Sequence, residues 1–573
     1  MPRANEAVSD LLLEFADLLS ILSGDPFKPR AYEKAAQAVS GYAADVSGLD
    51  LKGILAIPSV GKSIGEKVHE YLTTGAIAEL DELRAKVPAG VRDMMRIPGL
   101  GPKKAMSLYT EVGVGSIDAL LAAMDAGALS GLKGFGAKTE ENLRKGIARL
   151  RESGGRVLVN VALELAERLL GELERLPGVV RCAYAGSLRR MAETIGDVDL
   201  LVASTEPGPI MEAFVGFPDV RQVLAHGDTK SSAVFASGLQ VDLRVVRPEV
   251  WGAALIYFTG SKAHNIRIRD LAVRKGLKLS EYGLFDAATE ELVVAETEEA
   301  VYERLGLPYF PPELREDRGE VEAALGEGLP ALLTLDQIRG DLHTHTDLTD
   351  GTAPIEDMLA AAWAKRYAYY AITDHAPDLA MHRMTTAKMK AQRKVIATLQ
   401  ERYPKMALLQ GSELNIGPEG DVDWGPEFLS TLDVCVASVH SHFNQSKEEM
   451  TRRLIRAMEN PHVHVIGHMT TRLIGRRPET EFDHEAVFRA AARTGTAIEI
   501  NAFPDRLDLK DEYILWARRL GVRFAIDTDS HATGHLDVMR YGVATARRGW
   551  LGPDDVINTW PLAKLRRFLA KGA

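Results

Sequence analysis

Along the chain, the spacing of apolar and polar positions changes character twice. Up to about residue 150 it reads as largely helical, interrupted by three related turns: IPSVGKSIGEKV from Ile57, IPGLGPKKAMSLY from Ile97 and LKGFGAKTEENL from Leu132. Each has a hydrophobic-x-hydrophobic-Gly turn followed by a helix that opens with lysine. In the next part, DVDLLV (Asp197–Val202) alternates through Val198 and then becomes apolar, which predicts a half-buried strand. Side chains two apart on a strand share a face, so Asp197 and Asp199 project together while Val198 turns inward. QVDLRVV, a β-branched run at Gln240–Val246, predicts the neighbouring strand and carries Asp242. After residue 340 the pattern changes again. Three or four apolar residues repeatedly end in a histidine or carboxylate, with helical stretches such as APIEDMLAAAWAKR and DHEAVFRAAARTG between them. This alternation predicts a β/α barrel whose strands deliver side chains at their C-terminal ends.

At 573 residues the chain exceeds what one hydrophobic core supports, so several domains are expected. No apolar run is long enough for a membrane span, and MPRANEAVSD lacks the apolar core of a signal peptide. With only Cys182 and Cys435, no disulfide framework is available and a reducing cytoplasm is expected. A net charge of −11 means that any nucleic-acid binding must be local rather than the effect of a global field. Of the 15 histidines, only His69, His226 and His264 precede residue 340, which marks a boundary there. The charged, Gly- and Pro-rich stretch Pro311–Arg339 reads as a tether with a short helix, permitting either rigid docking or free motion.

Candidate chemistry follows from these placements. Two parallel carboxylates repel unless a cation lies between them, and hard oxygen ligands suit Mg²⁺ with substrate phosphates. Upstream, Gly186 and Ser187 offer backbone N–H groups and a hydroxyl for phosphate oxygens, with Arg189 and Arg190 adding charge. Asp242 would complete a two-metal site, with Arg244 on the same face placed to orient an aspartate. YFTGSKAHNIRIR, from Tyr257, reads as two aromatics at a turn followed by a helix with basic and amide side chains on one side. The three glycine turns would expose unpaired N–H groups at helix N-termini, which hold phosphate without reading bases.

In the last third, His343 and His345 lie two apart. His375, Glu413, His440, His442, His468, Asn501, Asp529 and His531 follow at strand-like ends. So many imidazoles and carboxylates at one rim point to metal ligation, and the mixture suits Zn²⁺ or Mn²⁺ better than Mg²⁺ alone.

The ordered set GS-x-RR, GDVD, VDLR and YFTGS, over about Met1–Glu316, resembles the family X DNA polymerases, the β-like repair enzymes. The resemblance implies Asp197, Asp199 and Asp242 as catalytic, metal-binding carboxylates (Mg²⁺ or Mn²⁺). It implies Gly186, Ser187, Arg190 and Gly196 around the triphosphate, Tyr257 and Phe258 at the sugar, Asn265 at the incoming base and Arg269 at the template strand. Gly61, Lys67, Gly99, Gly101, Lys103, Gly134 and Gly136 would contact the DNA backbone. Lys67 also falls where the family can carry a Schiff-base lysine, but Ser63 and Phe27 depart from that pattern, so a 5′-phosphate contact is the expected role. From Gly340 to Ala573, H-x-H…D…DH…E…H…H…D-x-H resembles the PHP domain, a metal-dependent phosphoesterase. It implies His343, His345, Asp350, His375, Glu413, His440, His468, Asp529 and His531 as ligands for up to three Mn²⁺ or Zn²⁺ ions, with His442 and Asn501 outside the ligand set.

The expected fold is therefore multidomain, α+β and α/β. It comprises a helical lyase-like domain over 1–87 and a fingers-like helical domain over 88–150, both with helix-hairpin-helix motifs. A nucleotidyltransferase palm with a mixed sheet follows over 151–250, then a small thumb over 251–315, a linker over 316–339 and a distorted β/α barrel (PHP) over 340–573. The expected function is gap-filling DNA synthesis in base excision repair, with 3′→5′ exonuclease activity and cleavage at abasic sites or of 3′ blocking groups from the second centre. Partners would be gapped or nicked duplex DNA and deoxynucleoside triphosphates. The protein is expected to be a monomer in the cytoplasm at the nucleoid, without membrane contact. A non-templated nucleotidyltransferase with an accessory phosphatase domain would share Gly-Ser and D-x-D, but the three hairpins, Asn265 and Arg269 argue against it. A binding scaffold with vestigial centres is opposed by the intact carboxylates and ligand set.

Overall fold

The computed structural model describes residues 4–22, 27–40, 42, 46–57, 59–95, 97, 100–129, 131–132, 134–152, 155–378 and 384–571. Its first part is all helical. Apolar faces converge on one cluster that includes Leu12, Phe15, Val39, Val68, Leu108 and Leu143. Among the described residues no helix is long and apolar enough to cross a membrane.

A five-stranded mixed sheet follows, in the order 181–184, 197–203, 240–246, 230–235, 220–226. The two central strands are parallel and the other pairs antiparallel. Helix Val159–Leu173 buries Val159, Ala162, Leu163, Ala166, Leu169 and Leu173, the three-to-four spacing of one helical face. That face packs on Val198, Leu200, Val241 and Leu243. Leu201 and Ala203 pack with Trp251, Ala254 and Leu255 of helix Trp251–Thr259. Beyond this helix lie helix Lys262–Arg274 and a three-stranded antiparallel sheet. Arg189 clamps this thumb to the palm, donating to both oxygens of buried Glu298 at 2.8 and 2.6 Å, while fully buried Arg315 donates to the same carboxylate at 2.7 Å.

The last part contains seven parallel strands, from Gly340–Asp341 to Phe524–Asp527, ordered as in the sequence. A bridge between Thr344 and Ser530 brings the first strand to the last and nearly closes the barrel. Central strands such as Val434–Ser438 are buried throughout, as expected for a parallel sheet covered by helices. Leu342, Leu409, Val436 and Val465 cluster with Leu565 and Leu569 of helix Leu562–Leu569, which stoppers one end. The strand C-termini face the other end.

The stretch 316–339 is docked, not free. Its short helix, Glu320–Leu325, is held by Glu320, which accepts from His264 Nδ1 at 2.7 Å, and by buried Val321. Arg318 pairs with Asp511 at 3.0 Å. Leu507 and Tyr541 of the barrel share the palm's hydrophobic cluster, and Arg472 reaches Glu193 at 2.8 Å.

Candidate active sites

In the palm, Asp199 pairs directly with Asp242 across the parallel strands, and Asp197 sits two residues before Asp199 on the same face. Burial, then the charges of Asp197 and Asp242, push the Asp199 carboxyl up to about 7. A cation beside Asp199 would favour its charged form, as a carboxylate site for divalent ions requires. Gln240 Nε2 donates to Asp242 Oδ1 at 2.8 Å, and Lys230 lies 3.5 Å from the other oxygen. The sequence places Arg244 on the same face, where it could orient an aspartate. Its guanidinium instead stacks over Phe258, 4.5 Å from the ring centroid, so Gln240 is the donor.

Gly186 abuts this trio. At φ +61° it occupies the left-handed region, and a Cβ there would stand 2.3 Å from Asp199 Oδ2, so only glycine fits. Ser187 lies in the single turn Gly186–Arg189, and Gly196 immediately precedes the aspartate strand. Arg189 and Arg190 do not stand open to an anion. Arg189 is committed to Glu298, and Arg190 donates to Glu316 at 3.0 Å and to the Thr259 carbonyl at 2.6 Å. Tyr257 and Phe258 occupy the last turn of a helix rather than the turn beyond it, with their rings edge to face at 5.1 Å. Asn265 is buried and donates to the Tyr257 carbonyl at 2.7 Å, while Arg269 is exposed on the same helix. The amide and basic side chains thus part company, the amide inward and the arginine outward.

In the helical part, Gly61 and Gly101 are exposed N-cap residues of helices Lys62–Thr74 and Pro102–Val112. Neither helix has a side-chain cap, so its first amides remain available to phosphate. Gly134 (φ +90°) and Gly136 lead into helix Ala137–Glu152, and Lys103 is exposed on its own helix. Gly99 lies outside the described residues. Lys67 pairs with Glu79 at 2.9 Å and donates to Ser63 Oγ at 3.0 Å. Partial burial disfavours its charge, but Glu79 and Tyr32 more than offset this and hold its pKa above the ordinary lysine value.

At the barrel rim all nine expected ligand residues come together. Glu413 is central: His375 Nδ1 lies 2.9 Å from one oxygen, and His468 Nε2 and His440 Nε2 lie 3.0 and 3.1 Å from the other. Asp350 receives His375 at 3.1 Å and His531 at 3.2 Å, and Asp529 lies 3.1 Å from His345 and 3.7 Å from His343. Burial would raise Glu413, but His440, His343 and His375 hold it well below the usual carboxylate range. His468 (φ 25°) and Asp529 (φ 50°) both have left-handed backbones, uncommon for these residues and consistent with strain stored at a functional rim.

The donor set suits metal ions. Three groups form: His345, Asp350, His375 and His531; His343, His345 and Asp529; His375, Glu413 and His440. Both ring nitrogens of His345, His343 Nε2, His375 Nδ1 and Asp350 Oδ1 are buried without a hydrogen bond. Buried polar atoms are normally satisfied, so this concentration of orphans fits residues that would hold metal ions. Mixed imidazole and carboxylate donors fit divalent metal ions.

Sequence reading missed the groups behind these ligands. Glu499 accepts from His343 Nδ1 at 2.6 Å and from the His468 amide at 2.6 Å, which fixes the imidazole so that Nε2 faces the cluster. It lies two residues before Asn501 on one strand, so a same-face signal was present. Asn501, outside the ligand set, donates to Asp529 at 3.1 Å. Exposed His442 has its ring on its neighbour Ser441.

Comparison with known proteins agrees with this architecture. Residues 254–316 match a model described as DNA polymerase beta thumb. Residues 3–77 match a helix-hairpin-helix domain, 91–149 a SAM-like helix-hairpin-helix tandem, and 341–502 a PHP domain. The chain is 36% identical over 564 residues to the DNA polymerase/3′-5′ exonuclease PolX of Bacillus subtilis, covering 98% of each chain. It is 27% identical over 325 residues to DNA polymerase lambda of Rattus norvegicus, covering 52% of this chain and 53% of that one. A probable phosphatase of Syntrophotalea carbinolica is 28% identical over 230 residues, 38% of this chain and 90% of that protein. With that full-length identity, and with thumb, hairpins and histidine-lined barrel in one polypeptide, the protein belongs to the PolX group of family X DNA polymerases that carry a PHP domain.

Proposed function

We propose that the protein fills short gaps in duplex DNA at the palm and trims or unblocks 3′ ends at the barrel, a division of labour suited to base excision repair. The observation that carries the synthetic half is the direct pairing of Asp199 with Asp242, with Asp197 on the same face. In the reaction the primer 3′-oxygen attacks the α-phosphorus of a deoxynucleoside triphosphate, the bond to the β-phosphate oxygen breaks, and pyrophosphate leaves. Asp242, held by Gln240, would accept the 3′-hydroxyl proton. Asp197, Asp199 and Asp242 would hold Mg²⁺ or Mn²⁺. Gly186, Ser187 and Gly196 would cradle the triphosphate, and Arg190 would join them by exchanging Glu316 for phosphate. Tyr257 and Phe258 would face the sugar, Asn265 the incoming base and Arg269 the template. The turns at Gly61, Gly99, Gly101, Gly134 and Gly136, with Lys67 and Lys103, would grip the backbone on either side of the gap.

At the barrel, His343, His345, Asp350, His375, Glu413, His440, His468, Asp529 and His531 would hold up to three Mn²⁺ or Zn²⁺ ions. Such ions, when bound, supply an activated water and charge neutralisation for phosphodiester hydrolysis. The chain's own contribution is to orient the ligands, through Glu499 on His343 and Asn501 on Asp529. Abasic sites and 3′ blocking groups are included in the proposed substrates.

The test uses a one-nucleotide-gapped duplex with Mn²⁺, with and without deoxynucleotides. Asp199→Ala should abolish filling while keeping 3′ degradation, and His345→Ala should do the reverse. If either change removes both activities, the division into two centres fails. Extension of a single strand as fast as of the gapped duplex would instead favour non-templated transfer.

A further inference from the structure

Beside the histidine cluster lies a guanidinium that none of the foregoing uses. Arg506 belongs to the loop after strand Ala497–Asn501. Its Nε lies 4.0 Å from Asp529 Oδ2, too far for a hydrogen bond, and that oxygen already accepts from Asn501 at 3.1 Å. Its Nη1 is buried without a hydrogen-bond partner. A buried cationic donor left unmade is costly, and such groups are rare unless something outside the chain completes them. Metal ions at His468 and Asp529 would add like charge beside the guanidinium. Asp505 and Asp508 lie near enough to feel the guanidinium's charge, and an anion bound between the guanidinium and such ions would offset the added like charge.

The loop is held in place as a functional element is. Its ends are joined by the bridge between Asn501 and Asp508, and Arg472 Nε donates to the Arg506 carbonyl at 2.9 Å. Leu507, the next residue, is seated in the palm's hydrophobic cluster. Arg506 is therefore presented to the rim from a backbone fixed on both sides.

We propose that Arg506 binds a non-bridging oxygen of the scissile phosphate at the barrel site and is a catalytic residue of the hydrolysis; this rests on the nuclease reading above. Water adds to phosphorus, the P–O3′ bond breaks, and the departing 3′-oxygen ends protonated as a hydroxyl. Negative charge builds on the non-bridging oxygens on the way, where a fixed guanidinium acts most strongly. Arginine offers paired donors that lysine lacks, so the two are not equivalent here.

The experiment compares the full-length Mn²⁺-loaded protein with Arg506→Gln and Arg506→Lys. It measures inorganic phosphate binding by calorimetry, metal content by mass spectrometry, and exonuclease and gap-filling rates. Arg506→Gln should lower exonuclease kcat by about 10²–10³-fold, the usual effect of removing one such donor. It should also weaken phosphate binding at least roughly tenfold, as loss of a charge-assisted contact does. Metal content and gap filling should match the parent, and Arg506→Lys should recover part of both losses. Unchanged phosphate affinity overturns the proposal. So does a parallel loss of metal, which would make Arg506 a support for Asp529. A parent protein that binds metal and phosphate but degrades no DNA overturns the nuclease reading itself, and the phosphate affinities then still judge the contact separately.

Discussion

Arg548→Met tests whether the polymerase and barrel halves are joined by the charges that cross between them. Arg548 is 8% exposed. It donates to Asp511 at 2.8 Å, to Glu316 at 2.9 Å and to the Arg190 carbonyl at 2.7 Å. Methionine keeps the apolar stem but removes every donor. Breaking one side of a buried ion pair costs about 3–5 kcal/mol because the partner is left uncompensated. Here Asp511 keeps Arg318 at 3.0 Å and Glu316 keeps Arg190 at 3.0 Å, so the cost belongs at the lower end. About 3 kcal/mol corresponds to roughly a hundredfold rise in local opening, at about 1.4 kcal/mol per decade. Global unfolding of a multidomain chain is a poor probe of such a local term. Amide hydrogen exchange over residues 315–326 is the suitable assay, since these amides report opening of the docked stretch. Adding Asp511→Asn to Arg548→Met should cost much less than the sum of the two single changes. A change below about threefold in exchange would refute the reasoning, showing that apolar packing at Leu507 and Tyr541 alone maintains the docking.

Three further expectations follow from single sites. Chelation should lower the melting temperature of the barrel, because an ion at a hundred times its Kd contributes about 2.7 kcal/mol; calorimetry with and without EDTA checks this, and no shift would count against the ligand cluster. Burial lowers the pKa of His264 below its ordinary value despite the opposing pull of Glu320. The unfolded chain takes up that proton first, so thumb stability should decline as pH falls through about 6.5. Melts from pH 7.5 to 5.5 should show a smaller slope in His264→Gln. Lys67, held protonated by Glu79 and Tyr32, should not be trapped by borohydride on a 5′-deoxyribose phosphate end at pH 7.5, while Lys67→Ala should weaken binding to a 5′-phosphorylated gap. A trapped adduct at Lys67 would overturn that assignment.

Much of the placement of both residue clusters is legible in the sequence. Alternation in DVDLLV sets the faces of Asp197 and Asp199, and two short-range regularities locate the histidines at strand ends. What was not legible depends on pairing between distant segments. Gln240 and Arg244 each lie two residues from Asp242 on one strand face, and which one reaches the aspartate depends on Phe258, which occupies the arginine from a neighbouring helix. Arg190 reads as a phosphate ligand, but its carboxylate partner lies 126 residues away. Glu499 was hidden for a related reason: a buried acid on a strand reveals its role only when His343, 156 residues distant, is brought against it.

The palm cluster that closes over Leu507 and Tyr541 has a consequence for how synthesis and trimming share a substrate. With the two centres bolted into one frame, neither can swing toward a stationary DNA end. The 3′ terminus itself has to travel, either by letting go entirely or by pivoting on the bound duplex. The choice between extending an end and shortening it then becomes a race between nucleotide addition and departure of the primer. Abundant triphosphates would favour extension and scarcity would favour trimming, with no change in the protein's shape.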